Sequence, residues 1–563
     1  MTIKNIILLG TLAVAALASC SDEMDYKEYS NYDKKYVFNN FDNTVSFVTN
    51  IYSYLDYDYG IVGEGMLASA CDEAEYSWRS GSINNFTNGS LSANNAPSVF
   101  GFYGGIREAN YFLANYKDCD FSEYQLNKDY ANQMARFNRL PYEVRFLRAY
   151  FYFKLVSFYG DVPFYTDVIS TDEANALGRT PAKDVLDFVV KECDEIAPHL
   201  PISYGTLEND AAAGETGRVG RLAAMALKAR ALLYKASPLF NTSGDKELWH
   251  QAALASKAVF DTCEDNDLFL GQYKNLWGTD NWQNDEVLLA RRIGDLNWLE
   301  TNNYPRGVEN GKGDNCPTQT LVDAYDMKST GKAWDDDNSG FDPAKPYNDR
   351  DPRLALTVAV NGEKNWPSYN GTPLETYYGG ANGEPLTGAT PTGYYLKKLL
   401  DGSVNISSVN SNTKRHSWVI FRLGEFYLDY AEAAFRYLGG ADATSAELTM
   451  SPREALNQTR VRAEMPEFPE GMSNDTFWKD YEKERMVELA FEDHRYFDIR
   501  RWKEGPQHAN ITEMKITKNS DGSFSYKRQI VKRVWDDKLY FLPIPHSEMM
   551  KHTSPDFKQN PGY

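Results

Sequence analysis

Cysteine and histidine are both scarce in this chain, at 6 and 7 of 563 residues. Beyond Cys20, the cysteines (Cys71, Cys119, Cys193, Cys263, Cys316) are scattered without a Cys-x-x-Cys pair. That spacing excludes a disulfide framework and a cysteine zinc site, and the dispersed histidines suggest no metal cluster. Basic charge is also short: 59 Lys and Arg stand against 79 Asp and Glu, a net charge of −20. Nucleic-acid binding by phosphate neutralisation and docking on an anionic membrane surface are excluded on that ground. The sequence lacks the Gly-x-Ser-x-Gly, His-Glu-x-x-His, P-loop and dinucleotide fingerprints. It also lacks the strand-helix alternation of a Rossmann fold or a barrel. The apolar run Ile6 to Ala18 falls short of the roughly 20 residues that span a bilayer.

What is present starts at that run. Lys4 precedes it, and Leu17-Ala18-Ser19-Cys20 follows it. Small residues before a cysteine at the cleavage position resemble a bacterial lipobox, so residues 1–19 read as a lipoprotein signal peptide and Cys20 as the acylated residue. More than one acyl chain gives lasting membrane attachment. Ser21 to Asp25 resembles the acidic tag of surface-directed lipoproteins. Hydrophobic content of 42% and charged content of 25% are globular values, while aromatics reach 14%, with 38 Tyr.

Helical periodicity dominates residues 36–264. It predicts helices over Leu140 to Tyr159, Pro181 to Ile196 with Thr180 as cap, Arg218 to Lys235, and Leu248 to Cys263. Alanines on the last two, such as Ala226 and Ala255, allow close approach in a helical hairpin. Arg218 and Gln251 stand about one 34-residue tetratricopeptide period apart. Residues 265–415 are rich in Gly, Asn, Pro, Trp and Tyr, and read as a loop-rich, ligand-binding insertion. Helices return over Phe421 to Leu438, Pro452 to Arg462 and Thr476 to Trp502. Short strands are expected at Leu354 to Val360, Val419 to Arg422, and Met514 to Ile516 with Phe524 to Lys527. The Pro-rich tail from Leu539 reads as an irregular clasp.

Several blocks carry a resemblance. Arg148-Ala149-Tyr150-Phe151-Tyr152-Phe153 precedes Tyr159-Gly160-Asp161-Val162-Pro163. Gly217-Arg218-Val219 leads into Ala229 to Tyr234, and Arg350-Asp351-Pro352-Arg353 forms a turn. Further on come Arg422 to Glu425 with Ala431-Glu432-Ala433, Leu456-Asn457 with Arg460 to Arg462, and Glu484 through Trp502. Leu542-Pro543-Ile544-Pro545 and Gln559 to Tyr563 close the chain. In this order, over essentially the whole chain after Cys20, they resemble the SusD/RagB family. The resemblance implies a mostly α fold of tetratricopeptide-like helix pairs, with residues 20–563 as one SusD-like domain whose scaffold covers 36–264 and 416–563. It implies a lipid-anchored outer-membrane protein facing the cell exterior. Such a protein captures glycans and hands them to a SusC-like TonB-dependent transporter, with no catalysis of its own. A peptide binder of the same family and a surface glycosidase are the alternatives. The chain departs from the family at Phe100, where a Trp often precedes the helix that begins near Tyr103.

The aromatics suggest where a sugar would sit. An aromatic ring covers the apolar face of a pyranose, while Asp, Asn and Arg bond its hydroxyl rim. Two windows offer both. One holds Asp72, Trp78, Arg79 and Asn84; the other holds Trp277, Trp282, Trp298, Asn302, Asn303, Tyr304 and Arg306, and the family's stacking aromatics lie in loops of this kind. Trp366, Tyr377 and Tyr394 are further candidates, whereas Trp502 and Trp535 read as core. No cofactor is indicated. Asp335 to Gly340 imitates the start of an EF-hand loop, but Pro346 occupies the position that needs a bidentate Glu, which leaves only a looser structural calcium site. Glu482 to Trp502 reads as one helix laced with salt bridges rather than a catalytic carboxylate pair, and His494 with Asp498 lacks a third metal ligand.

Overall fold

The computed structural model describes residues 34–203, 217–278, 281, 284–364, 366 and 371–563. Cys20 and Trp282 lie outside the described residues.

Helices dominate, as expected. Those that build the scaffold are α1 (Phe41–Ile51), α2 (Phe102–Asn115), α3 (Leu140–Tyr159), α4 (Ala182–Ile196), α5 (Arg221–Ala236) and α6 (Lys246–Glu264). After the loop-rich segment come α7 (Leu423–Leu438), α8 (Pro452–Arg462), α9 (Asn474–Glu488) and α10 (Arg495–Arg501). From α2 to α6 each helix packs on the next, α6 packs on α7, and α7 on α8. The long excursion between α6 and α7 thus returns to where it left. Helix α3 has the bounds its sequence predicts and is buried on nearly every side, which explains its run of Tyr and Phe. It stops at Gly160, whose φ of +71° a side chain would resist.

Two helix expectations need correction. Pro181 is not the first helical residue of α4. It sits in the cap position at ψ 136°, and Asp161 Oδ1 accepts from Ala182 N–H at 2.8 Å, taking the role expected of Thr180. Nor is Thr476 to Trp502 one helix. Phe491 and Asp493 adopt φ of +59° and +67°, which breaks the run into α9 and α10. Glu488, Glu492 and Arg495 therefore do not share one continuous helical face, as a single helix from Glu482 to Trp502 would require. His494 is half-buried, and desolvation together with Arg230 and Arg485 holds its imidazole well below its usual pKa. Asp498 is taken up by Arg485 and Arg501.

Among the described residues, eight strands form four antiparallel pairs: β1 (Ala74–Tyr76) with β3 (Asn315–Pro317), β2 (Val287–Leu296) with β6 (Lys414–Arg422), β4 (Val358–Ala359) with β5 (Tyr395–Leu396), and the hairpin β7 (Ile511–Lys518) with β8 (Phe524–Val531). The strand expected over Leu354 to Val360 is mostly a short helix, Pro352–Thr357, capped by Asp351. The tail is a clasp: Leu542 N–H donates to Phe158 O at 2.7 Å, and Asn560 Nδ2 to Tyr159 O at 3.0 Å.

One large core runs through the helices. A second, smaller one lies within the loop-rich segment, around Tyr304, Cys316, Trp366, Leu374 and Tyr395. Buried charges fasten that segment to the scaffold. Arg422 meets Glu286, Glu488 and Glu492 at 3.0, 2.7 and 2.7 Å. Arg353 meets Asp351, Glu484 and Glu488 at 2.7, 2.6 and 2.8 Å. Trp277, from the second aromatic window, is packed into this cluster, with the Lys398 ammonium 4.1 Å from its ring centre.

Candidate functional site

Pairing of β1 with β3 builds the site. Tyr76 lies opposite Asn315, and Ser77 N–H donates to Asp314 O at 2.8 Å. That register brings Trp78 against Asp314, and the indole N–H donates to Asp314 Oδ1 at 2.9 Å. The turn after Trp78 is held by two bonds to its carbonyl, from Gly81 N–H and from Asn84 Nδ2, each at 2.9 Å. Asn84 thus positions the tryptophan. Gly388, at φ +75°, lies so close to the indole that a Cβ there would stand 2.5 Å from Cζ2. The Arg306 guanidinium is 5.7 Å from the ring centre, fixed by the carbonyls of Gly311 and Thr387 at 2.7 and 3.1 Å. Trp78 remains half-buried and Arg79 beside it is exposed.

Asp314 is buried, and Oδ2 has no hydrogen-bond partner in the protein. Burial, with Glu64 nearby, pushes its carboxyl up to about 7, against the pull of Lys312. Glu64 itself pairs with Lys312 at 2.8 Å. The result is a rigid indole flanked by one cation and one carboxyl poised near neutrality. Nothing in the sequence marks Asp314, because its partner Trp78 is a distant residue.

Other expected site residues fall elsewhere. Asp72 is buried; Arg495 grips it at 2.8 and 2.7 Å, and with His508 overcomes the effect of burial to hold the carboxyl far below its usual range. It is a clamp, not part of a sugar rim. Tyr304 is fully buried in the small core against Trp366, its hydroxyl 3.0 Å from the carbonyls of Asp401 and Val404, so it offers no stacking face. Asn302, Asn303, Trp366 and Tyr394 are buried as well. Trp298 is 37% exposed but packs edge-on against Tyr59 at 6.2 Å. Tyr377 lies against Phe524 at 5.4 Å, while its neighbour Tyr378 is 69% exposed, the most exposed aromatic among the large exposed apolar residues described. In the acidic turn, Asp336 accepts from Asn338 N–H at 2.7 Å and Lys332 at 3.2 Å, while Asp335 and Asp337 are exposed. That turn gathers no set of three metal ligands among the described residues.

A sequence model of the SusD family matches residues 285–563. A SusD-like protein from Formosa agariphila is 26% identical over 382 residues, 64% of this chain and 63% of the relative, so the match spans less than two thirds of that protein. A second from the same organism is 23% identical over 513 residues, 89% of this chain and 86% of the relative. The solved structure of a SusD-like protein from Bacteroides fragilis superposes with a TM-score of 0.76 at 24% identity, covering 94% of this chain and 98% of that one. The chain belongs to the SusD/RagB family.

Two further SusD-like structures share the fold. One is described as a SusD-like carbohydrate binding protein from Bacteroides fragilis, with a TM-score of 0.73, 23% identity and coverage of 93% and 100%. The other is described as a laminarin binding SusD-like protein, with a TM-score of 0.63, 20% identity and coverage of 93% and 99%. The blocks that resemble the family hold the SusD fold together here. Arg148 bonds Asn110 at 2.9 Å and Glu192 at 3.1 Å, Arg353 and Arg422 anchor the loop-rich segment, and Asn560 locks the tail.

Proposed function

We propose that this SusD-family protein is a glycan-binding surface lipoprotein with an open site centred on Trp78. In this reading Trp78 stacks on a sugar face, and Arg79 and Arg306 meet hydroxyls at the rim. The observation that carries it is the half-exposed indole, fixed on its polar edge by Asp314 and backed by Gly388. A ring already immobilised loses little entropy when it meets a ligand. Relatives described as carbohydrate or laminarin binding support the same class of ligand. Acylation at Cys20 would tether the protein to the outer membrane, and a SusC-like transporter would take the glycan inward. No helix among the described residues is long and apolar enough to cross a membrane.

A second reading rests on Asp314, since a carboxyl raised to about 7 is the kind that glycosidases use as a general acid. Against it, Asp314 is buried and already accepts from Trp78, and its neighbour Glu64 is paired with Lys312. Incubation with a panel of soluble polysaccharides that includes laminarin tests both readings. Binding without new reducing ends is expected. New reducing ends that disappear in Asp314→Asn would establish the glycosidase, and retention of peptides instead of glycans would overturn both. Gentle detergent extraction of the outer membrane should recover a large barrel protein in near-equal amount, and recovery of the lipoprotein alone would count against the partnership.

A further inference from the structure

A cavity of about 360 Å³ lies on another part of the molecule, between the segment before α2, the turn after α3 and the C-terminal clasp. Its apolar wall is Phe100, Tyr103 and Tyr165. Tyr103 and Tyr165 are nearly parallel, 9° apart with ring centres at 6.1 Å, and Phe100 tilts against Tyr103 at 5.5 Å. These rings are pinned in place. The Tyr103 hydroxyl donates to Pro163 O at 2.8 Å, and the Tyr165 backbone exchanges bonds of 3.0 and 2.6 Å with the Tyr152 hydroxyl. Ser98 and Asn175 supply a hydroxyl and an amide to the lining. Glu548 and Lys551 pair with each other at 2.7 Å, so the charges at the rim cancel.

Gly101 in the cavity wall gives the second observation. It occupies the cap position of α2 at φ −53° and ψ −27°, where any residue fits, and it makes no side-chain cap bond. A Cβ at Gly101 would meet nothing within 4 Å. Neither strain nor close packing requires glycine here. What glycine does achieve is an open cavity.

We propose that this cavity is a second carbohydrate site, for a neutral mono- or disaccharide, separate from the surface at Trp78. Its volume is near the low end of the roughly 300–1,000 Å³ typical of ligand pockets, which suits one or two rings. Aromatic rings together with a hydroxyl and an amide in one lining match the two kinds of surface on a pyranose. Balanced rim charge disfavours acidic and basic sugars. The proposal does not depend on Trp78 binding polysaccharide.

The test titrates glucose, galactose, mannose and their β-linked disaccharides into the full chain, read by saturation-transfer NMR and calorimetry. At least one sugar should bind the wild type and Trp78→Ala alike. Gly101→Leu places a side chain in the cavity mouth at a helix-compatible position. It should weaken that binding by about tenfold or more, with the melting temperature unchanged or raised. The proposal is overturned if no sugar in the panel binds Trp78→Ala, or if Gly101→Leu binds as the wild type does. Binding of free aromatic amino acids in place of sugars, lost in Gly101→Leu, would also overturn it. Polysaccharide retention by Gly101→Leu, measured on an affinity gel, reports separately on the Trp78 surface.

Discussion

Replacing Trp78 separates stacking from support, because the indole does two jobs. Its N–H satisfies the buried Asp314, and its ring is offered to a ligand. Trp78→Ala and Trp78→Phe both delete the N–H, while only the alanine deletes the ring. Leaving Asp314 Oδ1 without its donor costs about 1–3 kcal/mol of stability, and protonation of the carboxyl softens that cost. Alanine adds lost packing against Gly388. Full burial would make that loss about 3–5 kcal/mol, so a half-buried ring contributes less. On the binding side, an aromatic stacking face is worth about 0.5–1.5 kcal/mol, roughly 2- to 13-fold in Kd. Phenylalanine should therefore unfold earlier in urea than the wild type while keeping most of the affinity for a bound polysaccharide. Alanine should lose several-fold in affinity or fall below detection. Calorimetry on any polysaccharide retained by the wild type, with urea unfolding of all three proteins, decides it. Equal affinity of the alanine variant and the wild type would refute the role of the ring.

Three other outcomes follow from the geometry. Asp314, raised to about 7 in the fold by burial and Glu64, binds a proton that the unfolded chain has released above about 4. Its contribution to stability therefore falls as pH rises from about 4 to 7; Trp78 fluorescence should titrate in the upper part of that range, and Asp314→Asn should remove the titration. Glu488→Ala leaves Arg422 and Arg353 short of a buried partner, and should cost about 3–5 kcal/mol in urea unfolding, whereas a loss under 1 kcal/mol would mean the network is slack. Cys20→Ala should leave the protein unlabelled by a fatty-acid probe and detached from the outer membrane, and normal acylation of that variant would disprove the lipobox.

Long periodic segments were legible: α3 and α8 have the bounds their sequences predict, because apolar spacing and a stop residue are local. The break between α9 and α10 was not, since nothing local marks Phe491 and Asp493 for left-handed backbone. Strand β2 escaped notice because Arg291, Arg292, Gly294 and Asp295 obscure its alternation, and bulges interrupt its register with β6. The site was half legible. Trp78 and Asn84 stand out by polar flanks and turn chemistry, but the same polar surroundings also pointed to Tyr304 and Asp72. Only the fold shows that Tyr304 belongs to a second core and that Asp72 has a distant arginine waiting for it.

That distance sets an order of events during synthesis. Asp72 is gripped by Arg495, and the carbonyls of Cys71 and Ala74, just before Trp78, are held by Arg533 at 2.5 and 2.8 Å. Strand β1 also needs β3, from the middle of the chain. Contacts so far apart in sequence close late, after local helices have formed. The Trp78 surface is therefore among the last parts to assemble, and no N-terminal fragment ending before Arg533 can present it in native form. Expression of residues 36–264 alone would leave Trp78 without Asp314, Asp72 without Arg495, and the first strand without a partner.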